Sequence, residues 1–104
     1  MQVIFSRQAA EQLREKYTVL ELETFDVQDT VLETFCVIPA DKMNLSDLPH
    51  LESHIRLHED FIVQLKQKNY KFCADAIEHL RGKFGGELDS FYDIILERCK
   101  ENVT

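Results

Sequence analysis

The sequence predicts a small α+β domain: a mostly antiparallel, three-stranded sheet with helices packed on one face. Residues 1–40 combine strand patterns with one helical segment, whereas residues 41–104 are helical after a short linker. The predicted order is therefore β-α-β-β-α-α-α. A length of 104 residues, with 44% hydrophobic residues, is sufficient for one core, so we expect a single domain over residues 1–104.

The N-terminal segment predicts a strand followed by a helix. MQVIF is short and rich in β-branched and aromatic residues, which indicates a strand over about residues 1–5. Ser6 is a typical N-cap residue, and the apolar positions after it repeat at helical spacing. We expect a helix over about residues 7–16.

A near-repeat predicts the two arms of a hairpin. LETFDV at 22–27 returns as LETFCV at 32–37, with five of six positions identical. A two-residue loop at Gln28-Asp29 would place on one face the pairs Leu22–Phe35 and Leu20–Val37. The loop lacks the Asn-Gly or Asp-Gly of such turns, so a register one residue away stays open. Pro39 ends the strand, because proline cannot donate to the ladder.

Three helices are predicted after the linker. The first begins at a cap on Ser46 or Asp47 and runs to about Lys68. The second spans about residues 70–84 and ends at Gly85-Gly86. The third covers residues 86–101. The helical spacing predicts buried faces formed by Cys73, Ala76, Ile77, Leu80 and Phe84 in the second helix, and by Leu88, Phe91, Tyr92, Ile95 and Cys99 in the third.

Composition excludes several classes of partner. The chain has 12 Lys and Arg against 19 Asp and Glu, a net charge of −7, so its field repels nucleic acid and anionic membranes. No apolar run approaches the ~20 residues of a spanning helix, and the first residues lack a signal-peptide pattern. Three distant cysteines without a CxxC motif predict no disulfide framework. We expect a cytoplasmic protein.

The segment HLESHIRLHED places His50, His54 and His58 four residues apart along one side of a helix. At about 100° per residue, His58 falls in the centre of the apolar stripe, and His54 and His50 lie progressively nearer its edge. One interpretation is a core or interface histidine that is hydrogen-bonded to a carbonyl or carboxylate from another helix. The alternative is a divalent transition-metal site, such as zinc, with His54 and His58 as ligands beside His50. A third ligand would come from the next helix: Cys73, Asp75, Glu78 or His79.

No catalytic motif is complete. The histidine segment matches neither HExxH nor HxxEH, because its glutamate stands at position 52 and a serine at position 53. In GKFGGELDS the lysine precedes the last two glycines, and an acidic residue follows them, unlike a phosphate-binding loop. Cys73 and Cys99 lie on apolar helix faces, where a thiol is inert. The sequence favours a non-enzymatic role without deciding it.

Three stretches, REKYTVLELETF, NYKFCADAIEHL and GKFGGELDSFY, give the chain a resemblance to small uncharacterised proteins of tailed phages that infect cyanobacteria. The resemblance implies a host cytoplasm and brings no activity or site residues with it. The first hypothesis is a small acidic domain that binds another protein, for example a phage-encoded modulator of a host protein. The alternatives are a metal-binding or hydrolytic protein that uses the histidine row, and a structural subunit that forms homo-oligomers through strand edges or the C-terminal helix.

Overall fold

A computed structural model describes residues 2–43 and 45–102. It contains three strands and four α-helices within those residues: β1 (Gln2–Ile4), α1 (Arg7–Leu13), β2 (Thr18–Val27), β3 (Thr30–Ile38), α2 (Leu51–Lys66), α3 (Tyr70–Leu80) and α4 (Asp89–Asn102). Short 3₁₀ helices cover Ala40–Lys42, Leu45–His50 and Phe84–Gly86. The predicted α+β class and the order β-α-β-β-α-α-α are confirmed.

The sheet is antiparallel, with the strand order β1-β3-β2. One face packs against α2, α3 and α4 through Leu20, Leu22, Cys36 and Ile38. The other face carries a smaller cluster that joins α1 to the sheet through Ala10, Val19, Phe35 and Val37. The three C-terminal helices thus share one face, as predicted for the helical layer, whereas α1 covers the opposite face.

A β-bulge in β2 changes the hairpin register by one residue. Near the turn, the pairs from Val27–Thr30 to Thr24–Glu33 follow the predicted two-residue loop. Beyond the bulge Glu21 pairs with Phe35, so Leu22 and Glu23 together stand opposite one residue, Thr34. The predicted pairs Leu22–Phe35 and Leu20–Val37 are therefore wrong. A shift of one residue exchanges the faces, which is why Leu20 and Leu22 reach the helical layer while Phe35 and Val37 lie beneath α1.

The predicted two-residue turn is present at Gln28 and Asp29. Both residues have positive φ, 48° and 65°, as a type I′ turn requires. The strand twist selects this turn although neither residue is a glycine, which costs some conformational energy. The turn is thus a strained point at the tip of the hairpin.

All ten residues named for the buried faces of the last two predicted helices are buried. Both helices are shorter than predicted, because Phe84 lies in the 3₁₀ helix after α3 and Leu88 precedes α4. The predicted start of α2 is wrong: a 3₁₀ helix containing Pro49 occupies the segment, and α2 begins at Leu51 with no side-chain cap from His50. The side chain of Asp47 lies outside the described part, as does Met1 of the predicted first strand.

Gly85 allows the α3–α4 connection to pack closely against the backbone of Lys42, which follows β3. Its φ is +66°, and a Cβ built on it would lie 1.8 Å from the backbone oxygen of Lys42. Only glycine permits both the positive φ and this close backbone approach. Phe84, which precedes Gly85, is thereby fixed in the core beside α2.

Candidate functional site

His58 lies fully buried where α2 meets the bulged end of β2. Its Nε2 is 2.6 Å from the backbone oxygen of Glu21, and its Nδ1 is 2.8 Å from the hydroxyl oxygen of Tyr92. The rings of Phe61 and Phe84 pack beside the imidazole, with centroid distances of 5.7 and 6.2 Å. This is the arrangement of a satisfied core histidine, whose carbonyl partner comes from a strand rather than from another helix.

The chemistry of the two partners fixes the tautomer of His58. A carbonyl oxygen can only accept, so Nε2 carries the proton and donates it to Glu21. The neutral ring then has its lone pair on Nδ1, which accepts the hydrogen bond donated by the Tyr92 hydroxyl. His58 therefore links three elements, α2, β2 and α4, through a chain of two directed hydrogen bonds.

Burial keeps the imidazole neutral. Loss of solvation lowers the pKa of His58 from its ordinary value to about 4, opposed by the hydrogen bond to the Glu21 carbonyl. Between about pH 4 and pH 6.5, His58 is protonated in the unfolded chain and neutral in the folded chain. The stability of the fold is therefore complete above about pH 6.5 and falls as the pH drops toward 4, by about 3 kcal/mol in total.

The other two histidines lie progressively nearer the surface, as the sequence predicted. His54 is partly buried beside Phe84, with ring centroids 6.3 Å apart, and His50 is exposed at the start of α2. Within the described residues, the structure brings together no group of three or more His, Cys, Asp or Glu side chains that could hold a metal ion. A metal at His58 would first have to displace one of its two hydrogen bonds. The metal site at His50, His54 and His58 stays a prediction.

The candidate third ligands on α3 differ from one another in burial, and only one of the four is buried. Asp75, Glu78 and His79 are exposed, whereas Cys73 is buried with its Sγ 3.8 Å from the backbone oxygen of Phe61. Burial raises the pKa of Cys73 to about 11 and that of Cys36 to about 12. These thiols stay protonated at neutral pH, and for Cys73 this is the inert state expected from the sequence.

A second feature is the distal hairpin, defined here as residues 24–33, which lie beyond the bulge. The register places Phe25, Val27 and Leu32 on the face that the helical layer covers further along the sheet. Here the cover is incomplete: Phe25 and Val27 are 44% and 50% exposed. Ile94 on the neighbouring α4 is 63% exposed. We call Phe25, Val27, Leu32 and Ile94 the apolar patch.

A depression of about 360 Å³ lies between the distal hairpin and α4, and we call it the α4 groove. Phe25 and Ile94 of the apolar patch stand on its wall. Its other lining residues are contributed by all three strands and by α4: Val3, Leu22, Glu23, Thr34, Phe91, Ile95 and Arg98. The lining is mostly aliphatic and aromatic, so it favours apolar side chains.

A larger depression of about 600 Å³ lies on the other face of the distal hairpin, toward the α2–α3 corner. Its lining includes Thr24, whose Oγ1 is buried with no hydrogen-bond partner in the described part of the chain. Arg98 and Glu23 line both depressions and bind each other, with 3.1 Å between Nη2 and Oε1. This ion pair fixes α4 to the bulge and separates the two depressions.

The hairpin beyond Leu22 is acidic throughout. Residues 22–33 contain four carboxylates and neither Lys nor Arg. Two of the carboxylates are neutralised from outside the hairpin, Glu23 by Arg98 and Glu33 by Arg7. Asp26 and Asp29 belong to no ion pair among the described residues. The exposed tip therefore carries uncompensated negative charge beside the apolar patch.

The sequence did not single out the apolar patch. Phe25 stands in the same LETF motif as Phe35, and alternation alone does not tell which of the two is covered. One signal was available: the predicted first strand is half as long as the hairpin arms, so part of the hairpin must extend past it.

Comparison of the chain with protein-family models, with curated proteins and with solved structures gives no significant match. The resemblance to phage proteins therefore stays a prediction, and among the described residues no helix is long and apolar enough to cross a membrane.

Proposed function

We propose that this chain is a small acidic protein-interaction domain that binds a basic, partly apolar segment of a partner protein on the distal hairpin. The observation that carries the proposal is the apolar patch beside the α4 groove. Phe25, Val27 and Ile94 are large apolar side chains that lie near 50% exposure or above it on one continuous surface. Contiguous exposed apolar residues with a polar rim are typical of protein-binding surfaces.

The scaffold under the patch favours binding because it is already ordered. The Arg98–Glu23 and Arg7–Glu33 ion pairs tie the bulged hairpin to α4 on one face and to α1 on the other. A surface held in place by its neighbours loses little conformational entropy when a partner binds. The buried aromatic ring of Phe91 forms part of the wall of the groove.

Charge supports a basic partner. Asp26 and Asp29 at the tip belong to no ion pair among the described residues, and Glu101 follows Ile94 on the same side of α4 at helical spacing. Acidic groups around an apolar centre accelerate the approach of a cationic segment and disfavour acidic ones. The net charge of −7 acts in the same direction over longer distances.

A second copy of this chain is the other candidate occupant, because a hairpin with an open edge can pair with itself about a two-fold axis. Two copies would bring together surfaces that both carry Asp26 and Asp29, and like charges oppose such contact. Sedimentation velocity over a range of concentrations distinguishes the candidates. A single monomer species supports the heterologous partner, whereas a concentration-dependent dimer supports the homo-oligomer.

The test of the proposal uses a defined probe, a short fluorescent peptide in which lysine alternates with valine and leucine. We expect it to bind the wild-type chain and to bind more weakly at higher salt, while a matched peptide with glutamate in place of lysine does not bind. Ile94→Asp should weaken binding about tenfold, because it removes apolar area from the patch.

Val63→Asp is the matched control. Val63 is an equally aliphatic helix residue, 50% exposed, and it lines neither depression. Both variants add one negative charge, which by itself would attract the probe, so a loss confined to Ile94→Asp comes from the lost apolar contact. Equal binding by both variants, or equal binding of the glutamate peptide, would contradict the proposal.

A further inference from the structure

β1 covers only three of the nine residues along the edge of β3. It pairs Gln2–Ile4 with Phe35–Val37 and then leaves the sheet. Ser6 ends the strand by capping α1, where its Oγ accepts from the backbone N–H of Ala9 at 3.2 Å. On the side of β3 that faces β1, residues 30–33 form no backbone hydrogen bond with another segment of the described chain. The other side of these residues pairs with β2.

The α4 groove adjoins this vacant strand position at the point where β1 ends, beside Val3 and Thr34. Val3, the residue of β1 that points toward the helical layer, forms one end of the groove. Thr34 of β3 lines it next to Val3, and Phe91 and Ile94 of α4 form its opposite wall. A strand that continued the line of β1 would direct alternate side chains into this space. The described residues do not supply them, since Phe5, which follows β1, is 61% exposed and does not line the groove.

We propose that the partner segment binds as an added β-strand along residues 30–33 of β3, in line with β1, with alternate apolar side chains seated in the α4 groove. An unpaired edge offers backbone donors and acceptors at the spacing of a strand, and pockets for every second side chain supply selectivity. The occupant is an extended segment that alternates apolar residues with basic ones.

The basic residues of this segment point away from the groove. On that face β3 presents Val31 and Glu33, and the neighbouring β2 presents Asp26. Glu33 is already paired with Arg7, so the uncompensated Asp26 and the tip residue Asp29 are the carboxylates left for the partner. This inference rests on the proposed function, since it specifies how the same surface holds its partner.

The experiment scans the lysine–valine–leucine probe with single N-methyl groups, one backbone amide at a time. An added strand donates only every second N–H to β3, so methylation should weaken binding at alternate positions, about tenfold or more, and change it less than about twofold between them. Hydrogen exchange on the full chain should show slower exchange of amides within residues 30–33 when the unmethylated probe is bound.

The outcomes separate this inference from the proposed function. Binding that depends on Ile94 but shows no alternation, with unchanged exchange of residues 30–33, would overturn the strand mode and leave the docking surface intact. Failure of the unmethylated probe to bind would overturn both. Alternation together with slower exchange confirms the added strand.

Discussion

Replacement of Tyr92 by phenylalanine tests the buried hydrogen-bond chain most cleanly. Tyr92 is fully buried, and its hydroxyl oxygen lies 2.8 Å from Nδ1 of His58. The substitution keeps the ring and its contacts with the rings of Phe61 and Phe91, at centroid distances of 5.7 and 5.9 Å. It removes only the donor, so the buried acceptor on His58 loses its partner.

An unsatisfied buried acceptor costs about 1–3 kcal/mol. For a domain of about 100 residues, a loss of 2 kcal/mol lowers the melting temperature by roughly 10 °C. We therefore expect Tyr92→Phe to destabilise the fold by about 2 kcal/mol at neutral pH. Urea denaturation followed by circular dichroism measures this difference in the free energy of unfolding.

Tyr17→Phe is the matched control, because Tyr17 is 40% exposed and loss of a solvent-facing hydroxyl changes stability by less than about 0.5 kcal/mol. A double-mutant cycle with His58→Leu should show that the two losses are not additive, since both substitutions remove the same hydrogen bond. If Tyr92→Phe were as stable as the wild type, the assignment of Nδ1 as a buried acceptor would be refuted.

Three further predictions follow from the fold. Between pH 7 and pH 5, His58→Gln should lose about 2 kcal/mol less stability than the wild type, because the variant lacks the imidazole that is protonated only in the unfolded chain. Urea denaturation at several pH values measures the two losses, and equal losses would contradict a neutral His58. Gly85→Ala should lower the free energy of unfolding by more than about 2 kcal/mol, since the new Cβ overlaps a backbone carbonyl. Gly82→Ala, at a residue with positive φ but open space around it, should lower it by about 1 kcal/mol. Similar melting temperatures for the two variants would count against the close approach at Gly85. Substituting Asn and Gly for Gln28 and Asp29 should raise the melting temperature by a few degrees, about 1 kcal/mol, because both positions have positive φ; a lower melting temperature would argue against the I′ turn.

The helical faces were predictable because they depend on local spacing alone. Every residue named for the buried faces of the last two predicted helices is buried, although Phe84 and Leu88 lie outside α3 and α4. His58 occupies the centre of the apolar stripe of α2, as the angular positions indicated. A period of 3.6 residues needs no knowledge of the partner element. The same reasoning ordered His58, His54 and His50 from the core to the surface.

The hairpin register was not predictable, because the bulge depends on groups far away in the chain. Two backbone oxygens of the bulged segment accept from side chains: that of Glu21 from His58, and that of Glu23 from Thr34 at 2.7 Å. The repeated LETF motif shows the consequence. Phe35 is 1% exposed beneath α1, whereas Phe25 lies on the other face and past the helical layer. Identical local sequence therefore gave no indication of the apolar patch.

The most direct test of the proposed binding surface is a titration of the isotope-labelled full chain with the lysine–valine–leucine probe, followed by backbone amide NMR. We predict shifts confined to residues 22–34 and to the Ile94 side of α4, with the amides around His58 unchanged. Shifts centred on the histidine row, or dispersed evenly over the surface, would contradict the assignment of the distal hairpin as the interaction site.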